Sequence, residues 1–300
     1  MSTMRNSTVL LRRMTVSAMF LSLALMMRFL PFTLEIPLFG QNGMRVGVAG
    51  IFSMMPAILF GPVYGAIVSG LTDLLGYLLK PTGAYLPLMT LAVALGGFLR
   101  GLFWMFLRNR SAKGTRIVMG VGVALIAAFG VYSLVAFSAD GINASFYERV
   151  NIADIRLDDM HWISRMVIER TMVMKDPGGS LYAYILTASA APLGIAGFGL
   201  ILLLGDVFLS RKLSFMGNRG SVLQILIALC VSGVIVSTLN TIILRESVYD
   251  SWKSIPFLVL WLPRTIEEIL ANTVKVYFIA VFYGIFMKQP SLRKIVVSDK

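Results

Sequence analysis

Runs of about 20 apolar residues, separated by short polar stretches, recur from one end of the chain to the other. Each is long enough to carry a helix across the roughly 30 Å hydrocarbon layer of a bilayer. The pattern predicts spans near 14–33, 46–60, 62–80, 88–108, 116–137, 185–209, 221–244 and 256–287. The expected fold is therefore all-α: a polytopic membrane helix bundle of about eight transmembrane helices, forming one membrane domain over 1–300. The second run is short, and "LFGPVYG" at 59–65 puts Gly-Pro where a tight turn between two helices is needed. One long polar interruption, 138–184, alternates charged and apolar residues at helical spacing. It reads as one or two short amphipathic helices on the outer surface, or as a solvated connector without a ligand role. "DPGGS" at 176–180 is expected to break the chain before the sixth span. The first run follows Arg12 and Arg13 as a signal peptide would. Arg28 interrupts it and no small-x-small cleavage site follows, so it is expected to be retained as a span.

Charge fixes the orientation of this bundle. The chain has 27 Lys and Arg against 15 Asp and Glu, a formal net charge of +12. In so apolar a sequence, basic residues set topology, so the excess does not call for nucleic acid as a partner. With the N-terminus inside, the inner segments collect Arg12 and Arg13, then Arg108, Arg110 and Lys113, then Arg211 and Lys212, then Lys288, Arg293 and Lys294. The outer 138–184 loop collects acids such as Asp140, Glu148, Asp158 and Glu169. Positive-inside asymmetry thus predicts a multi-pass protein of the cell membrane with both termini cytoplasmic.

A few ionisable residues lie within the spans, where each costs several kcal/mol unless paired, hydrated or turned into a cavity. In "WLPRTIEEILANTVKVYFIAVFY" (261–283), Arg264, Glu268, Ala271 and Lys275 fall on one helical face, flanked by Glu267 and Asn272. Pro263 suits a first helical turn, which would place the two glutamates near the positive end of the helix. Lys275 would lie about 17 Å deeper than Arg264. Asn240 and Thr241 end the preceding span at the outer level, where Arg28, Arg45, Lys80, Thr82 and Tyr85 also arrive. Convergence of such groups on one outward-facing cavity is the pattern of a small-molecule site. A plainer alternative is an Arg264–Glu268 i, i+4 pair that satisfies itself. Asp73 and Arg100, nearer mid-membrane on consecutive antiparallel spans, are expected to form a structural ion pair.

Several chemistries lack their signatures. The one cysteine, Cys230, lies within an apolar run, and the one histidine, His161, lies in the polar loop, so neither a disulfide nor a metal site is expected. No phosphate loop for ATP is present. "GVGVAL" at 120–125 lies inside a span, without the strand-turn-helix setting of a dinucleotide site. No cofactor and no catalytic residues are expected.

The block "RVGVAGIFSMMPAILFGPVYGAIVSGLTDLLGYLLKPTGAYLPLMTLAVALGGFLRG" (45–101), with "LNTIIL" at 239–244 and "LPRTIEE" at 262–268, resembles the substrate-binding S components of energy-coupling factor (ECF) vitamin transporters, the folate family above all. The resemblance implies a six-helix core, here 14–108 and 221–287, with 116–209 as an inserted helix pair bearing the outer loop. It implies capture of a vitamin from outside. It also implies docking on a transmembrane coupling subunit with two ATP-binding subunits, through small residues of the first span, for which Ala18 and Ser22 are the candidates. For a folate-like solute, Glu267 or Glu268 would accept from the pterin, Arg28, Arg45 or Arg264 would meet the anionic tail, and Tyr85 would stack or cap. Two other classes stay open from the residues: an intramembrane enzyme acting on a lipid-linked substrate, and a stand-alone secondary carrier.

Overall fold

A computed structural model describes residues 2–29, 33–36, 44–81, 85–150, 155–172, 176–212, 221–254 and 257–297. Its contacts divide the chain into two units, Met1–Ala112 with Leu209–Lys300, and Lys113–Phe208. The protein is a polytopic helical membrane bundle. Among the described residues, seven helices are long and apolar enough to cross a membrane, and Ala49–Phe60 is a shorter apolar helix.

The first unit comprises α1 (Ser2–Phe29), a two-stranded antiparallel ribbon of β1 (Thr33–Ile36) and β2 (Met44–Gly47), α2 (Ala49–Phe60), α3 (Pro62–Leu79) and α4 (Pro87–Leu107). A helix of 12 residues rises only about 18 Å, so α2 is a partial span. It is packed into the bundle with Met55, Ala57 and Ile58 fully buried. Gly61 alone separates α2 from α3. Its φ of 95° lies in the left-handed region that favours glycine, and Pro62 opens α3 with a φ suited to a first turn. Small residues then let α3 and α4 touch backbone to backbone: a Cβ on Gly65 or Gly97 would overlap the carbonyl of the other.

The second unit holds α5 (Ala112–Ala139), the short α6 (Phe146–Arg149), α7 (Trp162–Met172), α8 (Pro177–Ile185) and α9 (Ala191–Lys212), the last two joined through a π-helical turn, Leu186–Ala190. The 138–184 segment folds on its own core, where Phe137, Ile142, Phe146, Ile163, Val167, Ile168 and Leu181 pack together. "DPGGS" marks the boundary between α7 and the helix that leads into the sixth span. The Asp176 carboxylate accepts from the Gly179 N–H at 3.0 Å and Pro177 takes the first turn, so the same residues start a helix. The continuous apolar helical run is consequently Pro177–Phe208, longer than the expected 185–209.

The first unit is completed by α10 (Val222–Ser247), α11 (Phe257–Lys288) and α12 (Pro290–Val297). A capping box of Ser221 and Gln224 starts α10, and the Gln224 amide also donates to the Arg110 carbonyl at 3.1 Å, fastening this end to the chain beyond α4. Helix α11 begins at Phe257, before Pro263, because the apolar residues ahead of the proline already hold helical register. Glu267 and Glu268 are therefore remote from its N-terminus, contrary to expectation. Trp104 of α4 meets Tyr283 of α11 edge-on at 5.7 Å, Phe20 of α1 meets Phe286 at 5.6 Å, and Arg13 Nε donates to the Ile295 carbonyl at 2.9 Å. These contacts bring the start of α1, the end of α4 and both terminal segments to one end of the unit.

Candidate functional site

Six helices of the first unit, α1, α2, α3, α4, α10 and α11, enclose two adjoining cavities. One, of about 210 Å³, lies between α10 and α11, with Asn240, Arg264, Glu267, Glu268 and Lys275 on its walls. The other, of about 290 Å³, is walled by residues of all six, including Arg28, Ser69, Asp73, Arg100 and Glu268. Gly233, Val236 and Glu268 line both, so Glu268 stands at the junction.

Glycines make the space for these side chains. A Cβ on Gly233 would come 2.8 Å from Glu268 Oε1 and 2.7 Å from Asn272 Nδ2. That open face lets Glu268 lie against α10, where Asn272 donates to it at 2.9 Å and to the Leu229 carbonyl at 3.2 Å. Gly76 serves Arg28 in the same way, since any Cβ there would overlap the guanidinium, which donates to the Thr72 carbonyl at 3.2 Å. Gly50, in the wall of the larger cavity, leaves room for Lys275, whose Cε would be 3.3 Å from a Cβ at that position. Lys275 thus lines the smaller chamber and packs against a wall residue of the larger.

The sequence-derived candidates separate into those the fold gathers and those it does not. Arg28, Asn240, Arg264, Glu267, Glu268 and Lys275 all face cavity. Arg264 does not pair with Glu268; its guanidinium lies 5.7 Å from the Trp252 ring centroid, in the short turn Asp250–Ser254. Tyr85 lines neither cavity. Its hydroxyl donates to Thr90, which donates to Asp73 Oδ2 at 2.7 Å, so it reaches the site through a relay. Thr241 is fully buried, with its hydroxyl donating to the Ser237 carbonyl at 2.7 Å, and is not on either wall. Arg45 stands in β2 opposite Glu35, its side chain outside the described residues, as is Thr82. Ala18 and Ser22 lie on the exposed face of α1, where the Ser22 hydroxyl donates to the Ala18 carbonyl.

The expected Asp73–Arg100 ion pair is not formed. Both line the larger cavity, but Asp73 takes the Thr90 hydroxyl, while Arg100 has an Nε with no hydrogen-bond partner among the described residues. Among the described residues, no ion pair within 4.0 Å is made by Arg28, Asp73, Arg100, Glu267, Glu268 or Lys275. Buried polar atoms without partners, Ser69 Oγ and Asn240 Oδ1, also belong to the walls. Ser69 and Gly233 escaped the sequence reading. A serine and a glycine in apolar helices carry no signal of facing, although "VSG" occurs at both places.

This is a multi-pass helical protein whose bundle encloses a polar, charge-lined chamber at membrane depth. The family model of the ECF-type riboflavin transporter S component matches residues 11–173, more than half of the chain, and the protein belongs to that family. It is also similar to the folate transporter FolT of Clostridium novyi (strain NT), with 32% identity over 82 residues, 27% of this chain and 46% of that protein. The chain thus matches about half the length of this curated relative. No solved structure matches it.

Proposed function

We propose that this chain is the solute-binding subunit of an ATP-driven ECF importer and that its solute is an anionic vitamin of the folate type. The observation that carries this reading is the charge of the cavity walls. Arg28, Arg100, Arg264 and Lys275 face Asp73, Glu267 and Glu268, a cation in excess, with no ion pair among them. Riboflavin is uncharged at neutral pH, whereas folate carries two carboxylates on its glutamate. A chamber with surplus cations at membrane depth is stabilised by an anion and gains nothing from a neutral ring system. Glu267 and Glu268 are suited to accept from the amide-like donors of a pterin.

The importer reading assigns energy supply to partners. The solute enters from outside and the loaded subunit docks on a transmembrane coupling subunit with two ATP-binding subunits. The exposed small-residue face of α1, with Thr15, Ala18 and Ser22, is the proposed contact. Both termini, joined at one end through Arg13 and Ile295, are assigned to the cytoplasm because the basic residues collect there. The segment 113–208 is an addition to the six-helix core.

Vesicles containing the full-length chain together with an ECF coupling subunit and its ATPases test this proposal. Folate uptake that requires internal ATP is expected. Uptake by the chain alone, following an imposed ion gradient and indifferent to ATP, would overturn it.

A further inference from the structure

Resting on that reading, we infer that Arg100 and Lys275 form with Ser69 a mid-membrane seat for a carboxylate of the solute. The anionic end would then go in first, to the depth of the bundle, instead of staying with Arg28 and Arg264 toward the outer rim.

Arg100 is 7% exposed and Lys275 8% exposed, so both charges are withdrawn from bulk solvent. Glu268 stands at the junction of the two cavities that Arg100 and Lys275 line, and among the described residues neither cation is in an ion pair. One carboxylate thus confronts two buried cations. Glu268 is already engaged by Asn272, and Asp73 is engaged by Thr90. Uncompensated charge at this depth costs several kcal/mol, so the arrangement is completed by an anion that arrives from elsewhere. Ser69, 4% exposed, adds a hydroxyl without a partner. It lies beside Gly97, one turn before Arg100 on α4, and both Ser69 and Arg100 line the larger cavity. Lys275 approaches from α11 through the gap left by Gly50. A guanidinium, an ammonium and a hydroxyl are together a donor set for one carboxylate. A neutral ring could accept from these donors but would leave their charge uncompensated.

The test uses purified full-length protein in detergent and calorimetric titration with four carboxylate vitamins, folate, biotin, pantothenate and nicotinate, and with riboflavin as the neutral probe. Wild-type protein is expected to bind a carboxylate vitamin. Arg100→Gln should weaken that ligand roughly 30-fold or more, as loss of a charged hydrogen bond implies, and Ser69→Ala should weaken it less. Ligand-free Arg100→Gln should unfold at a temperature no lower than wild type, because it removes a charge that has no partner. This separates binding from folding. Arg100→Lys, which keeps the charge, should retain part of the affinity. Folate binding unaltered in both Arg100→Gln and Lys275→Met would overturn the seat and leave the folate reading standing. Binding of a different carboxylate vitamin with the same dependence on Arg100 would support the seat and overturn folate as the solute. Binding of riboflavin alone, or of none of the five, would overturn both.

Discussion

The two units of this protein treat buried charge in opposite ways. In the second, Asp206 is 1% exposed and is held by Arg116 across α5 and α9 at 2.6 Å. Asp140, just past α5, accepts from both the backbone and the ring of His161 at the head of α7. In the first, Arg100 and Lys275 are also buried, yet among the described residues no carboxylate lies within ion-pair distance of either. The same physical cost is met from within the chain in one unit and left open in the other. Paired charge builds a scaffold, whereas unpaired charge around a cavity prepares a place for something that comes and goes.

Removing the paired charge should have the largest effect of all, on stability alone. Asp206→Ala removes this ion pair and should cost about 2–3 kcal/mol of stability, less than a fully buried pair because Arg116 is partly exposed. Thermal unfolding followed by circular dichroism checks this, and solute affinity should not change. Glu268→Gln should do the reverse. It leaves the fold intact and weakens binding by about tenfold or more, around 1.4 kcal/mol, as titration would show. Gly76→Ala should have a smaller effect, near threefold on affinity, by pushing Arg28 off its place beside Thr72.

The mildest contrast concerns pH. Burial alone would raise the Asp140 carboxyl, but the hydrogen bonds it accepts from the backbone and ring of His161, with the Ser164 hydroxyl close by, outweigh it and hold the group below its ordinary value. A carboxyl depressed by folding contributes stability above its unfolded pKa, and that contribution fades as pH falls through the lower, folded value. The 138–184 cap should therefore loosen below about pH 4. Hydrogen exchange in α7 would rise in acid for the wild type. For Asp140→Asn, exchange in α7 should already be raised at neutral pH and vary little with acidification.

Much of this division was legible in the chain. Apolar runs near 20 residues gave the helices, Gly61-Pro62 gave the turn between α2 and α3, and helical spacing put Arg264, Glu268 and Lys275 on one face of α11. What spacing cannot supply is azimuth between helices. Asp73 and Arg100 share a depth, which made an ion pair plausible, but they approach the cavity from different sides and find other neighbours. Thr241 reads as a polar group at a mouth, whereas its hydroxyl is absorbed by its own helix through Ser237. Gly233 reads as a flaw in a helix and proves to be the space that Glu268 occupies. "DPGGS" reads as a breaker because Pro and Gly are loop residues, yet an aspartate one place before the proline makes the group a helix start.

The central claim is that the chamber of the first unit is built for an anionic vitamin. Competition at equilibrium, with labelled folate bound to the purified full-length chain and riboflavin added in excess, tests it most directly. The account predicts that folate binds at one site per chain and stays bound. Displacement of folate by that riboflavin, or binding of riboflavin where folate does not bind, would contradict it.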